Sequence, residues 1–259
     1  MKNFQVHRPK TVADAVALLK GSEGAKALAG GQSLLPVMKL DMAQPSDLVL
    51  LAGLGELRDI RVDGKNVIVG ALVTHDQMSR SSAFPALAKL AAMIGDAQVR
   101  NRGTIGGSIS HADPAADYPA ALVALGATVA TDRRRIPAES FFTALFETAL
   151  ERDELVTAVH FPVPERCAYA KYAHRASKYA VAGVMVAKGP GGVRVGVTGA
   201  GPKAFRVPEM EAALSKKWAP DALDGIAVSA ADLSSDSEAS AEYRAHLIGV
   251  MAKRAVAAA

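Results

Sequence analysis

Cysteine is nearly missing from this sequence: Cys167 is the single one among 259 residues. One thiol excludes an internal disulfide, a cysteine-ligated zinc site and a self-contained iron–sulfur cluster, each of which needs several thiolates. Aromatic residues are also scarce, at 5% with one tryptophan, too few to interleave with basic side chains as base-stacking platforms do. Neither sign of charge dominates. The 30 Lys and Arg exceed the 26 Asp and Glu by 4, and the run Arg133-Arg134-Arg135 is isolated, so the basic footprint of a nucleic-acid binder is lacking. Long apolar runs are absent as well. The charge-free stretch over residues 118–131 contains Pro119 and is too short to span a bilayer. Met1-Lys2-Asn3-Phe4 carries no apolar signal core, so a cytoplasmic location is expected.

Several catalytic signatures are missing too. There is no Gly-x-Gly-x-x-Gly, no Walker A motif, no Gly-x-Ser-x-Gly elbow, and no His-x-x-x-His or His-Glu-x-x-His pair among the six histidines. Nucleophilic and metal-dependent catalysis therefore lack a candidate, and a nucleotide held here is not held in the Rossmann manner.

Half of the chain is apolar and 22% is charged, the balance of a soluble globular protein with a core. The N-terminal part alternates strand and helix signals. Residues 4–7 suit a strand. Thr11 caps a helix over 12–20 with Asp14 three residues on. Residues 26–28 and 47–51 are buried strands. Residues 59–62 and 66–69 flank Asp63-Gly64 as a hairpin. Residues 84–94 have helical periodicity, and the small, polar stretch 95–111 reads as a long functional loop. Asp113-Pro114 reads as an N-cap opening a helix to Leu125. Strands follow at 155–161, 168–174, 184–187 and 193–197, the last two joined through Gly189-Pro190-Gly191-Gly192. Residues 206–214 and 222–230 read as helices. A long amphipathic helix over 239–257 has Tyr243, Leu247, Val250, Met251 and Val256 as inward positions.

Two glycine-bearing turns can carry chemistry. One is Ala29-Gly30-Gly31-Gln32-Ser33-Leu34-Leu35-Pro36; the other is Gly103-Thr104-Ile105-Gly106-Gly107-Ser108. Gly-Gly permits positive φ and close approach of a ligand to the amides, and consecutive amides make a concavity for phosphate oxygens. Ser33, Thr104 and Ser108 add hydroxyls. Each turn alone can equally be a tight turn with no ligand; the pair can grip a pyrophosphate from both sides. Arg100 and Arg102 offer either phosphate contacts or surface ion pairs. Asp117 is either an acceptor for ligand hydroxyls or a solvated first-turn acid. His111 adjoins the second turn, and Tyr179 is a site aromatic or a core one.

These stretches resemble a known family. The run Ala29 to Pro36, continuing Val37-Met38-Lys39-Leu40, resembles the first FAD-binding loop in the medium subunits of the xanthine dehydrogenase and aerobic carbon monoxide dehydrogenase family, the molybdenum hydroxylases. Gln98-Val99-Arg100-Asn101-Arg102 with Gly103 to Ser108, running on through His111-Ala112-Asp113-Pro114-Ala115-Ala116-Asp117, resembles its second loop. Ala241-Glu242-Tyr243-Arg244 is similar to its C-terminal domain, so the resemblance spans the chain. Ser108 stands where many relatives have asparagine, and Gln32 where some have histidine; both keep polar capacity.

The resemblance implies an α+β fold. An FAD-binding PCMH-type domain of two α/β subdomains (residues 1–176), like that of vanillyl-alcohol oxidase, precedes a small C-terminal α/β domain with an antiparallel sheet on helices (177–259). It implies FAD as cofactor. The pyrophosphate is then held by Ala29, Gly30, Gly31, Gln32, Ser33, Leu34, Leu35 and Pro36, and by Thr104, Ile105, Gly106, Gly107 and Ser108. Asp117 meets the hydroxyl-bearing part, Ile94, Val156 and Lys171 add contacts, and Tyr179 lies beside the isoalloxazine ring. Partners are a small subunit with two 2Fe–2S clusters and a large molybdopterin subunit, assembled as a dimer of heterotrimers, a heterohexamer. The implied function is electron transfer from those clusters to an external acceptor. The alternatives are a stand-alone FAD-dependent oxidoreductase and a phosphate-binding module without redox chemistry.

Overall fold

The computed structural model describes residues 2–259. Three larger sheets organise it, beside a two-stranded one of Phe142–Ala144 and Glu147–Thr148. The first is parallel, with Asp47–Leu50 between Gln5–His7 and Ala25–Leu28. Its crossover helix Val12–Gly21 starts where Thr11 accepts from the Asp14 amide, as the cap signal predicts. The second sheet is antiparallel, in the order Ile60–Asp63, Asn66–Gly70, Val156–Pro162, Thr128–Thr131, Arg135–Pro137. The predicted hairpin closes it: Asp63 pairs with Asn66 and Gly64 has φ +57°, a conformation that costs glycine nothing. The third sheet is antiparallel, in the order Arg166–Ala173, Ala180–Gly189, Gly192–Thr198, Phe205–Arg206.

The helix Tyr118–Leu125 joins the two halves. All eight of its residues are buried, which requires apolar neighbours on every side. It shares a core with Val129 and Val159 of the second sheet and with Met185 and Ala187 of the third. Gly196 lets it come close: a Cβ there would sit 2.3 Å from the Ala120 carbonyl oxygen. The far face of the third sheet is covered by Pro208–Lys216 and Ala241–Ala258, through Met210, Leu214, Ile248 and Met251.

Four expectations need correction. The stretch 95–111 is no open loop; it folds into Ala97–Arg102 and Ile105–His111, capped by Asp96 and Thr104. The helix expected from Pro114 starts four residues later. Asp113 accepts from the Ala115 amide, Thr198 Oγ1 donates to the carbonyls of Pro114 and Ala116, and the Ala180 amide donates to that of Ala115. Those carbonyls are committed to the third sheet and cannot enter a helical ladder. Residues 222–230 are not helical; only the turn Pro220–Leu223 forms, before Asp224-Gly225, where Gly225 takes φ +77°. Tyr243, expected inward, is 43% exposed and meets Tyr172 edge-on at 6.2 Å.

Candidate functional site

The two glycine segments, some 70 residues apart in sequence, meet in space. A Cβ on Gly30 would lie 2.1 Å from the Arg102 carbonyl oxygen and 2.9 Å from Gly103 Cα; one on Gly107 would lie 3.7 Å from Ala29 Cβ. Gly30 is glycine because backbone passes against backbone there. Thr74 and Thr104 bridge beside the seam, with the His75 amide donating to the Gly103 carbonyl.

Their roles differ. In the first segment Gly31 takes φ +74° and turns the chain into the helix Leu34–Lys39. Among the described residues no group accepts from the amides of residues 31–35. The first amides of a helix have no intrahelical partner, and behind a left-handed glycine they form an anion-binding concavity. In the second segment the amides of residues 105–108 are consumed. Ile105 donates to Val73, Gly106 to Ala71, Gly107 to Thr104 Oγ1 and Ser108 to the Thr104 carbonyl. Both turns are expected to offer amides; those of residues 31–35 are open, whereas those of residues 105–108 are engaged within the fold. Gly106 serves packing, since a Cβ there would meet Ala71 Cβ at 2.6 Å and its carbonyl oxygen at 2.7 Å. What the second segment presents to the seam is exposed Gly107, with the half-buried Ser108 next to it.

The helix Ile105–His111 runs about 10 Å from this seam, through Ala112 at φ +51°, towards a second cluster. There Asp117 is buried, against the solvated alternative, and both its oxygens are engaged. Tyr169 Oη donates to it at 2.7 Å, and Lys171 Nζ approaches its two oxygens at 2.8 and 3.1 Å. Burial raises the Asp117 pKa, opposed by the Lys171 charge. Lys171 Nζ also donates to the carbonyls of Met93, next to Ile94, and of Lys178, next to Tyr179. Tyr179 is 42% exposed; burial of its ring and the carboxylates of Asp113 and Asp117 raise its pKa. Asp117, Lys171, Ile94 and Tyr179 are thus gathered at one place. Val156 is a core residue, 6% exposed, in the cluster that holds Ile105 and Ile109.

Arg100 is a structural brace, donating to the carbonyls of Ile94 and Gly95. His111 packs on Phe146, ring centres 5.2 Å apart. Arg133 pairs with Glu151 and Asp153, and Arg134 with Glu154, so two of the three arginines of that basic run are spent within the fold. Sequence reasoning missed Tyr169 as a partner of Asp117. The available signal was strand alternation: Tyr169 and Lys171 are two apart and so share a face.

Cradle and cluster suit one extended ligand, anionic in the middle and ringed at one end. The first residues of the fit are the unpartnered amides, and FAD meets that description. Among the described residues there is no group of acidic, histidine or cysteine side chains able to hold a metal, and no helix long and apolar enough to cross a membrane.

Comparison with known proteins agrees with the geometry. Residues 2–164 match the FAD binding domain in molybdopterin dehydrogenase, and residues 168–259 the CO dehydrogenase flavoprotein C-terminal domain. The chain is 37% identical to the carbon monoxide dehydrogenase medium chain of Hydrogenophaga pseudoflava, covering 99% of this chain and 96% of that one. It is 36% identical to the nicotine 6-hydroxylase medium subunit of Paenarthrobacter nicotinovorans, covering 96% and 94%. The solved carbon monoxide dehydrogenase of Hydrogenophaga pseudoflava lacking the Mo-pyranopterin moiety superposes with a TM-score of 0.89 at 37% identity, over 100% of this chain and 97% of that one. The chain belongs to the FAD-binding medium subunits of the molybdenum hydroxylase family.

Proposed function

We propose that this subunit positions FAD between iron–sulfur clusters of a small partner subunit and an external electron acceptor, while a large molybdopterin subunit oxidises the substrate. The observation that carries the reading is the run of unpartnered amides over residues 31–35, laid by Gly30 against the Arg102–Gly103 backbone. FAD supplies exchange between one-electron donors and two-electron acceptors. The chain's own residues bind and orient. The 31–35 amides and Ser33 hold the pyrophosphate, Gly107 and Ser108 close the seam from the other side, and the Asp117–Lys171 pair braces the ring end. Tyr179 covers the ring. Ile94 and Val156 complete the apolar surroundings.

The relatives are medium chains of enzymes named for carbon monoxide, nicotine and glyceraldehyde. Different substrates on one medium-chain fold favour a reading in which another subunit chooses the substrate. That supports the multi-subunit reading over a stand-alone flavoenzyme. The assembly we infer is a dimer of heterotrimers in the cytoplasm. We set the division between the two units near residue 165 rather than at 176, because Arg166–Ala173 pairs along its length with Ala180–Gly189.

The test is anaerobic. The complex purified with its partner chains is mixed with a substrate that its large subunit turns over, and flavin absorbance is followed. Bleaching of one FAD per medium chain is expected; flavin that stays oxidised while the molybdenum centre is reduced overturns the relay.

A further inference from the structure

The turn that carries Tyr179 is built on one imidazole. The amides of Ala176 and Ser177 both donate to His174 Nδ1, at 3.2 and 3.0 Å. An amide N–H can only donate, so Nδ1 must offer its lone pair and the ring proton must reside on Nε2. That second nitrogen lies 3.2 Å from Glu238 Oε2, on the segment before the last helix. The backbone closes over the same residue: the Lys178 amide donates to the His174 carbonyl, and the His174 amide to the Tyr179 carbonyl. Lys178 is held at φ +64°, a conformation that is strained for a residue with a side chain. Something must hold it: His174 above and Lys171 Nζ on the Lys178 carbonyl below, helped within the turn by Lys178 Nζ donating to the Arg175 carbonyl and the Tyr179 amide to Ser177 Oγ.

We propose that His174 is a positioning residue for Tyr179, acting only in its Nδ1-unprotonated form. The inference rests on the reading of Tyr179 as the aromatic beside the flavin. A proton on Nδ1 would point at two N–H donors, so both bonds are lost on acidification and the turn loosens. The charged groups around the ring are Glu238, on the segment before the last helix, and Arg175 and Lys178 within the turn.

The experiment uses the full chain in its complex and two readouts. One is hydrogen exchange of the 176 and 177 amides, corrected for intrinsic pH dependence; the other is the visible circular dichroism of the bound flavin. Wild type is expected to lose protection of these amides at least tenfold on acidification, with a parallel change in the flavin signal. H174A should be unprotected at every pH. H174N should be protected at every pH, because an asparagine oxygen accepts from the amide two residues on without titrating. Equal protection in wild type and H174A, or an unaltered pH dependence in H174N, overturns the role of His174. A flavin signal unchanged by Y179L overturns the reading beneath it, whatever the exchange shows.

Discussion

Lys171 Nζ lies 2.8 Å from one oxygen of Asp117 and 3.1 Å from the other, both side chains almost wholly buried. The pair ties the third sheet to the segment before the buried helix Tyr118–Leu125. Breaking such a pair on one side leaves an uncompensated charge, at about 3–5 kcal/mol. K171M should lower the denaturant midpoint accordingly. Asp117 already has its pKa raised by burial, and loss of the cation raises it further. An acid whose folded pKa is raised is most tolerable below its unfolded pKa and becomes costly as pH rises past it. The deficit of K171M relative to wild type should therefore shrink as pH falls towards 4, and adding D117N should recover part of it. A deficit independent of both would remove the pair from the account.

Much of this site is legible from sequence, and the limits have physical causes. Gly30-Gly31 before a short helix announces backbone freedom, and the structure uses it as such. Gly106-Gly107 announces the same, yet Gly106 is small because Ala71 passes beside it, a contact from a segment 35 residues away. Asp113-Pro114 carries a good local cap, but Thr198 claims the carbonyls that a helix would need. Local signals fail where a distant residue takes the hydrogen bond. The hairpin at Gly64 and the last helix depend on local patterns, and these the chain reveals directly; the α+β layout is what the family resemblance implies.

The two central glycines should respond differently to substitution. Gly106→Ala meets Ala71 at 2.6 Å and should destabilise the fold by about 1–3 kcal/mol through overpacking. Gly107→Val fills the seam and keeps clear of backbone, though its Cβ would press on the Thr104 hydroxyl at 2.9 Å. FAD affinity should fall at least tenfold, about 1.4 kcal/mol, with the thermal midpoint of the flavin-free protein changed far less. Flavin titration beside thermal melts separates the two. Equal affinity in Gly107→Val and wild type would exclude the second segment from the site.

Acid stability should decline in two windows. Burial, aided by the Arg100 charge, lowers the His75 pKa from 6.5 to about 4. The unfolded chain binds this proton first, so stability falls as pH drops from about 6.5 to 4, by at most ~3 kcal/mol. The hydrogen bonds from Arg134 lead the causes that lower the Glu154 pKa from 4.5 to about 2. Its contribution, present above 4.5, is lost as pH falls towards 2; with Arg134 partly exposed we expect about 1–2 kcal/mol. His75→Leu should flatten the upper window and Glu154→Gln the lower. Urea midpoints across pH check both, and a variant that keeps its window shows that another group governs it.

The central claim is that the amides of residues 31–35 hold the cofactor, and flavin extracted per chain measures it most directly. Wild-type complex should yield one FAD per medium chain. Gly31→Val, which forces a branched side chain to φ +74°, should yield a folded, assembled complex with little or none. A colourless wild-type complex, or a Gly31→Val complex with its full complement of FAD, would contradict the account.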